Sequence, residues 1–169
     1  MLSAILSDTL LLTSPTTTED DKFAAVKLAN IAKVDMEVYG LEMLKAASSI
    51  KGKTPEELIK SDFKSFVVGH RNLGIGQIMT MDFDSIKENI DTYVNILNDM
   101  VNTNFSIVVI FITDIIKNGS YIIYNDKASK IVEDSFGISN IYQGVFIPSV
   151  VSRKKQMLPS ILSILEGDN

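Results

Sequence analysis

The chain has 169 residues, of which 46% are hydrophobic and 22% are charged, and its net charge is -5. This composition supports one folded domain, with room for a fragment of a second, and argues against intrinsic disorder. The absence of cysteine excludes disulfide bonds and thiolate metal sites. The longest apolar run, 105–116, is too short to cross a bilayer, and no basic region accompanies the apolar N-terminus. We therefore expect a cytoplasmic protein without a broad nucleic-acid surface.

The chain begins with a segment that resembles the end of a larger element. Residues 2–6 have the pattern of a helix that has lost its beginning. The polar stretch 13–18 contains Pro15 and predicts a linker. We therefore expect a boundary after residue 14, with the main domain spanning 15–169.

Two helices are predicted next. Thr18 is expected to cap a helix that ends near Ala32, and Asp35 a second helix that ends near Ser48. Apolar residues at helical spacing are expected to be buried in these helices; they are Phe23, Val26 and Ala29 in the first and Val38, Leu41 and Leu44 in the second.

Strands and helices alternate in the rest of the chain. Strands are predicted at 63–68, 73–81, 105–112, 120–124 and near Val150; helices are predicted at 54–60, from Asp84 to about 101, at 126–136 and at 159–165. The run 105–112 is apolar on both faces, which is typical of a central strand covered on both sides. The expected fold is an α/β domain whose mixed β-sheet of about five strands has helices on both faces.

A basic cluster, Arg153-Lys154-Lys155, lies between the apolar stretches 144–151 and 157–162. A guanidinium offers two parallel donors to phosphate oxygens, and an ammonium places a compact charge beside it. A position between a strand end and a helix start would add backbone N–H groups and a positive dipole end. The pattern fits either a site for a small polyanion such as diphosphate or a solvated basic loop.

Four other polar residues are weaker candidates. Asp8 follows an apolar helix, where it could ligate a divalent cation or cap the next turn. Lys64 points away from Phe63 on a predicted strand, toward either a cleft or solvent. His70 lies in a predicted turn and is expected to be exposed, and Asp114 is expected to anchor the residues after its strand.

Seven short stretches share the order and character of motifs in one known family; they are 5–10, 14–17, 39–43, 62–66, 75–77, 112–114 and 152–156. Together they resemble the family II, manganese-dependent inorganic pyrophosphatases of the DHH phosphoesterase superfamily. The stretch Ser152-Arg153-Lys154-Lys155-Gln156 is the most specific of them, and the stretches span nearly the whole chain.

The resemblance implies a complete enzyme of two domains. Its N-terminal domain would bear an Asp-His-His motif and nearly all ligands of the catalytic Mn²⁺ ions, with Co²⁺ or Mg²⁺ as alternatives. Its C-terminal, DHH-associated domain would supply the cations that bind substrate. The chain resembles this second domain, 15–169, preceded by the last stretch of the first, 1–14.

Site residues follow from the same resemblance. Asp8 matches a metal-ligand aspartate. Lys64, Arg153 and Lys154 match the catalytic cations that hold the phosphates. Lys155 and Gln156 belong to the substrate-binding signature, and we expect them to support it.

The implied activity is hydrolysis of pyrophosphate to two phosphates by the full-length protein. The Asp-His-His motif is absent from the sequence, so the chain is predicted to bind phosphate or pyrophosphate weakly and to be inactive alone. The full-length protein is expected to be a homodimer, and this chain alone a monomer, with no nucleic-acid or membrane partner. The alternatives are the same domain of another DHH-superfamily phosphoesterase, acting on short polyphosphates or nucleotides, and a non-catalytic anion-binding regulatory module.

Overall fold

The computed structural model describes residues 1–139 and 141–167, and the chain divides into two compact units, 1–49 and 50–169. This division into compact units follows Ser49. The domain boundary predicted from the sequence, between 1–14 and 15–169, stays a prediction.

The first unit contains three helices: α1 (Leu2–Asp8), α2 (Glu19–Ala32) and α3 (Met36–Ala47). A complete capping box starts α2, because the Thr18 hydroxyl accepts from the Asp21 N–H and the Asp21 carboxylate accepts from the Thr18 N–H. Asp35 caps α3 by accepting from the Val38 N–H at 2.9 Å. Both predicted helix starts are therefore found.

Four of the six apolar residues expected to be buried in this unit are exposed: Phe23 is 72% exposed, Val26 51%, Val38 58% and Leu41 47%. The other two, Ala29 and Leu44, are buried as expected, together with Ala25 on α2 and Gly40 on α3. The predicted burial was therefore wrong for the larger residues of the stripe, because small residues, which permit close helix packing, make up most of the inner faces here.

The second unit is built on a five-stranded sheet. Its strands are β1 (Phe63–Val68), β2 (Arg71–Thr80), β3 (Ile107–Asp114), β4 (Gly119–Tyr124) and β5 (Val145–Pro148). They lie in the order β1-β2-β3-β4-β5, with β2 and β3 parallel and the other neighbours antiparallel. The predicted mixed sheet of five strands is confirmed.

Helices cover both faces of the sheet. They are α4 (Pro55–Ser61), α5 (Phe83–Lys87), α6 (Ile90–Thr103), α7 (Ser129–Phe136) and α8 (Leu158–Gly167), with a 3₁₀ turn at Asp126–Ala128 and a π-helical turn at Arg153–Met157. One face packs against α4, α5 and α6, and the other against α7, the π turn and α8. Every residue of β3 is buried, as expected of the central strand. Within the described residues, no helix combines the length and apolarity needed to cross a membrane.

Two element predictions are corrected. The single helix expected from Asp84 is two helices, since α5 ends at Lys87 and α6 begins only at Ile90. Its cap is Asp82, whose carboxylate accepts from the Ser85 N–H and hydroxyl. The last strand, expected near Val150, ends two residues earlier at Pro148.

Candidate functional site

One end of the sheet gathers the segments that carry the predicted site. The register pairs Phe63 with Gly76 and Asp114 with Gly119, which in turn pairs with Pro148. The starts of β1 and β4 therefore meet the carboxyl ends of β2, β3 and β5 at this edge. The chain leaves β5 here and runs back toward β1.

Residues 149–152, which we call the crossing segment, are held first to β4 and its turn. The Ser149 N–H donates to the Asn118 carbonyl at 2.8 Å. The Ser120 hydroxyl donates to the Val150 carbonyl at 2.6 Å. These two bonds fix the exit from β5.

Gln77 of β2 holds the next residue of the crossing segment. Its Nε2 donates to the Val151 carbonyl at 2.9 Å and to Thr113 Oγ1 at 2.8 Å. Thr113 Oγ1 lies 2.9 Å from the hydroxyl of Ser120. A continuous polar row on β2, β3 and β4 thus supports the crossing segment from below, in surroundings where each unmade bond would be costly.

Gln156 clamps the crossing segment from above. Its Oε1 accepts from the N–H groups of Val151 and Ser152, both at 3.0 Å, and its Nε2 donates to the Ser149 carbonyl at 2.7 Å. One side-chain amide therefore satisfies three backbone groups of a segment without secondary structure of its own. This gives Gln156 a structural role, which is compatible with the supporting role expected for it.

The basic cluster lies in the π-helical turn that follows. The Met157 N–H donates to the Ser152 carbonyl at 3.1 Å, and the Ser152 hydroxyl accepts from the Lys155 N–H at 3.4 Å. Met157 is fully buried and anchors the turn in the core. Single π turns are rare in proteins as a whole, but those that occur are often found at functional sites.

Arg153 reaches from this turn to the start of β1. Its Nη1 donates to the Asp62 carbonyl and its Nη2 to Asp62 Oδ1, both at 2.7 Å. The same carbonyl accepts from the Gln77 N–H at 3.0 Å. The Arg153 side chain is only 11% exposed. Two of its five N–H donors are therefore committed to Asp62, and the guanidinium is held in one orientation.

Lys64 lies two residues beyond Asp62 on β1. It pairs with Ile75, whose side chain belongs to the core on the α8 side of the sheet, and Phe66 packs against that same core. Because strand residues alternate between faces, Lys64 projects on the face that also carries the π turn. Arg153 and Lys64 are thus brought to the same end and the same face of the sheet.

Lys64, Lys154 and Lys155 are all exposed. Lys64 and Lys154 make no hydrogen bond or ion pair with any described residue. These two ammonium groups are therefore available to a ligand, whereas Arg153 already has a carboxylate partner.

Asp8 ends α1 in the first unit and is exposed. In the turn that follows Asp8 and Thr9, the residues Leu10, Leu11 and Leu12 have left-handed φ values of 47°, 56° and 66°. Such values are costly for branched side chains and indicate a turn fixed by its surroundings. Among the described residues no group of three or more His, Cys, Asp or Glu could hold a metal ion. The described part of the chain therefore does not fit a complete manganese centre.

The other sequence candidates have local roles. His70 is exposed in the turn between β1 and β2. Asp114 is buried, and its Oδ1 accepts from the N–H groups of Ile116 and Lys117, at 3.0 and 2.9 Å. It anchors the β3–β4 turn, as its position after a strand suggested.

Sequence reasoning missed three positioning residues: Asp62, Gln77 and Ser120. Gln77 carried a detectable signal, since it is an amide inside an otherwise apolar strand. Asp62 lies in the family-matching stretch 62–66, but nothing local indicated its pairing with Arg153, which is 91 residues away, and Ser120 carried no signal, because its partner is 30 residues away.

Residues 41–164 match the profile described as the DHHA2 domain. The match covers most of the chain, and the chain belongs to the DHHA2 domain family. This family assignment agrees with the DHH-associated domain expected from the sequence.

The chain is also similar to whole proteins about twice its length. It is 44% identical to a Clostridium acetobutylicum protein named "Probable manganese-dependent inorganic pyrophosphatase", over 99% of this chain and 54% of that protein. A Lactobacillus helveticus protein of the same name is 41% identical, over 99% of this chain and 55% of that protein. A crystal structure of a Methanococcus jannaschii protein assigned to the family II inorganic pyrophosphatases matches with a TM-score of 0.84 and 38% identity, over 98% of this chain and 54% of that one. The chain thus spans about half the length of the relatives it matches.

Proposed function

We propose that this chain is the C-terminal part of a family II, manganese-dependent inorganic pyrophosphatase and that its second unit supplies the cations that bind pyrophosphate. The similarity to proteins of that name supports the proposal. The observation that carries it is the Arg153–Asp62 contact, which fixes a guanidinium at the start of β1, at the end and on the face of the sheet where Lys64 also lies. The alternative of a freely solvated basic loop does not need such an arrangement.

The charges of this site suit a small polyanion. Arg153 retains three N–H donors beyond those bonded to Asp62, and Lys64 and Lys154 add two ammonium groups. In phosphoryl transfer the charge spreads over the phosphate oxygens, so fixed cations stabilise the transition state more than the ground state. Arg153, Lys154 and Lys64 are accordingly the proposed catalytic cations, and Lys155 and Gln156 complete the substrate-binding segment.

The metal chemistry is proposed to belong mainly to another part of the enzyme. Asp8 is the proposed contribution of this chain to the manganese centre. One exposed carboxylate does not hold a catalytic cation tightly, so the chain alone is expected to bind pyrophosphate without hydrolysing it.

The first experiment measures binding of pyrophosphate to the chain by isothermal titration calorimetry. Lys154→Ala and Lys64→Ala should each weaken binding about tenfold, since a charge-assisted hydrogen bond contributes about 1.5–3 kcal/mol. Lys27→Ala is the matched control, because Lys27 is an exposed lysine of α2 without a described partner. Equal losses in all three variants would contradict a localised site.

The second experiment tests catalysis. The chain is joined to the upstream half of the Clostridium acetobutylicum relative, and phosphate release with Mn²⁺ is measured. Activity should appear only in the joined protein and should fall at least a hundredfold in Arg153→Ala. Turnover of tripolyphosphate or a cyclic dinucleotide in preference to pyrophosphate would overturn the substrate assignment. Pyrophosphate hydrolysis by the unjoined chain would overturn the division of roles.

We place the activity in the cytoplasm, where biosynthetic reactions that activate nucleotides and amino acids release pyrophosphate. Dimerisation of the full-length enzyme stays a prediction, which sedimentation of the joined protein would test.

A further inference from the structure

The second unit contains a cavity of about 340 Å³ on the face of the sheet opposite the π turn. Its wall is mixed: Ile50, Pro55, Leu58 and Ile86 form an apolar part, and the other lining residues are Lys51, Lys53, Asp82, Ser85, Asn89 and Tyr93. Leu58 and Ile86 belong to the core that packs under α4, α5 and α6, whereas Met157 of the π turn belongs to the core on the other face. The cavity is therefore separate from the proposed pyrophosphate site, and its size is within the range of small-molecule sites.

Tyr93 of α6 lines this cavity with an unused polar group. The residue is only 3% exposed, yet its hydroxyl makes no hydrogen bond with any described residue. Burial, and to a lesser extent the Glu56 carboxylate, raise the pKa of Tyr93, so the hydroxyl remains protonated and is a donor at neutral pH. The ring is buried while the hydroxyl oxygen is open to the cavity, so this donor is available to a ligand or to water there.

Two lysines, Lys51 and Lys53, also line the cavity. Lys51 and Lys53 belong to a tight turn that closes with a bond from the Lys53 N–H to the Ile50 carbonyl, at 3.2 Å. Neither ammonium has a hydrogen bond or ion pair with a described residue. The carboxylate of Asp82, which also lines the cavity, accepts from the hydroxyl and N–H of Ser85 and is close enough to Lys51 for the lysine charge to help lower its pKa.

The balance of groups restricts the ligand. The apolar part of the wall favours an aromatic or branched hydrocarbon body, because burying apolar area contributes roughly 25 cal/mol per Å². A polyphosphate placed against this part would lose hydration without compensating bonds. The nearby carboxylates of Glu56 and Asp82 oppose a second negative charge, while Lys51 and Lys53 favour one.

We propose that this cavity binds a small organic monoanion, a carboxylate with an aromatic or branched apolar body. The carboxylate is held by Lys51 or Lys53, the apolar body lies against Leu58 and Ile86, and the Tyr93 hydroxyl donates to an acceptor atom of the ligand. The site does not depend on the proposed pyrophosphatase activity.

The test uses 2-naphthoate as probe and 2-naphthalenemethanol as its uncharged analogue, with amide chemical shifts of the ¹⁵N-labelled chain as readout. Saturable shifts are expected at residues 51–58 and 85–93. The uncharged analogue should bind several-fold more weakly. Shifts confined to residues 20–41, which include the exposed apolar side chains of α2 and α3, would overturn the proposal, as would the absence of saturation.

Three variants test the assigned contacts. Tyr93→Phe removes one hydroxyl and keeps the ring that packs in the core, and it should raise the dissociation constant two- to tenfold, on the order of one hydrogen bond. Lys53→Gln should weaken 2-naphthoate but not the alcohol. Lys127→Gln, an exposed lysine of the 3₁₀ turn without a described partner, should change neither. Unchanged affinity in both Tyr93→Phe and Lys53→Gln would overturn the proposal.

Discussion

At the scale of single residues, Gln156 contributes most clearly to the shape of the proposed site. It binds three backbone groups of the crossing segment, whereas Arg153 binds only Asp62 and Lys154 has no described partner. The stretch 152–156 therefore combines cations that are proposed to bind substrate with an amide that binds the protein backbone. The residues of such a motif are not all substrate contacts.

Replacing Gln156 should measure how much its bonds to the crossing segment stabilise the protein. Gln156→Ala leaves two N–H groups and one carbonyl without their partner and should lower the free energy of unfolding by about 2 kcal/mol. Gln156→Glu can still accept from Val151 and Ser152 but cannot donate to Ser149, so its loss should be smaller. Urea unfolding of the parent chain, Gln156→Glu and Gln156→Ala measures their free energies of unfolding, which should decrease in that order. Equal stability of Gln156→Ala and the parent would show that the clamp is not formed in solution.

A second residue-scale prediction concerns helix ends. Lys33 ends α2 in the left-handed conformation, with φ of 55°, and its side chain has no described partner. Lys33→Gly should raise the free energy of unfolding of the first unit by about 0.5–1 kcal/mol, because glycine adopts this conformation without steric cost.

The reciprocal change provides the control. Gly137 ends α7 with φ of 63°, and an added Cβ would meet no atom within 4 Å. Gly137→Ala should therefore lower stability by a similar amount, about 0.5–1 kcal/mol, through backbone strain alone. Thermal unfolding of both variants checks that Lys33→Gly raises the melting temperature and Gly137→Ala lowers it. A shift of both melting temperatures in the same direction would contradict the explanation.

At the scale of elements, the helix starts are set by local side-chain chemistry. Thr18 and Thr54 each form both halves of a capping box, with Asp21 and Glu57 as the reciprocal partners. These bonds use neighbours three residues apart and depend little on the rest of the fold. The starts of α2 and α4 were predictable for this reason.

The capping box of α2 should make its stability dependent on acid. Hydrogen bonds from the Thr18 hydroxyl, and then from its N–H, lower the pKa of Asp21 below its ordinary value of 3.8. A carboxyl with a lowered folded-state pKa stabilises the protein above 3.8, and this contribution is lost as the pH falls through the folded-state value. Thr18→Ala should raise the pKa of Asp21 toward 3.8, which NMR titration of its carboxyl carbon measures. No change in that pKa would contradict the capping box.

Element positions in the second unit were also largely predictable, whereas their packing was not. Alternation and β-branched composition located all five strands to within a few residues. The break between α5 and α6 was missed because Asp82 and Asp84 are both plausible caps and only the tertiary fold selects the first. Phe23 and Val38 were wrongly expected to be buried, since spacing identifies a helical stripe but not which of two stripes faces the core.

The site shows the same limit. Arg153, Lys154 and Lys64 were singled out by charge, by position and above all by family resemblance. The Asp62 carboxylate that holds Arg153 lies 91 residues earlier in the chain, and no local sequence pattern predicts such a pair. Long-range hydrogen bonds between unlike segments carry no periodic signal.

At the scale of the whole molecule, the two units differ in how much core they contain. The first unit buries six hydrophobic residues, Leu2, Leu6, Leu10, Ala25, Ala29 and Leu44, whereas the second contains two large apolar clusters, one on each face of its sheet. Small domains bury too little apolar surface to offset the entropy lost on folding. The second unit therefore has the composition of an independent folding unit and the first does not.

Separate expression should reveal this difference. A chain that begins at Ile50 should unfold in one cooperative transition with both clusters intact, and residues 1–49 alone should show little fixed tertiary structure. Near-ultraviolet circular dichroism and amide shift dispersion measure this for each piece. A cooperative transition in 1–49, or its absence in the longer piece, would contradict the assignment.

The crossing segment has a consequence for synthesis. Arg153 meets its partner at the start of β1 only after the 91 residues that separate them have been synthesised, and residues from β2 and β4 must already be in place beneath it. A nascent chain that stops before residue 153 can assemble strands and bury much of its interior, but it has no oriented guanidinium. The proposed diphosphate site is therefore completed only after synthesis has passed Arg153.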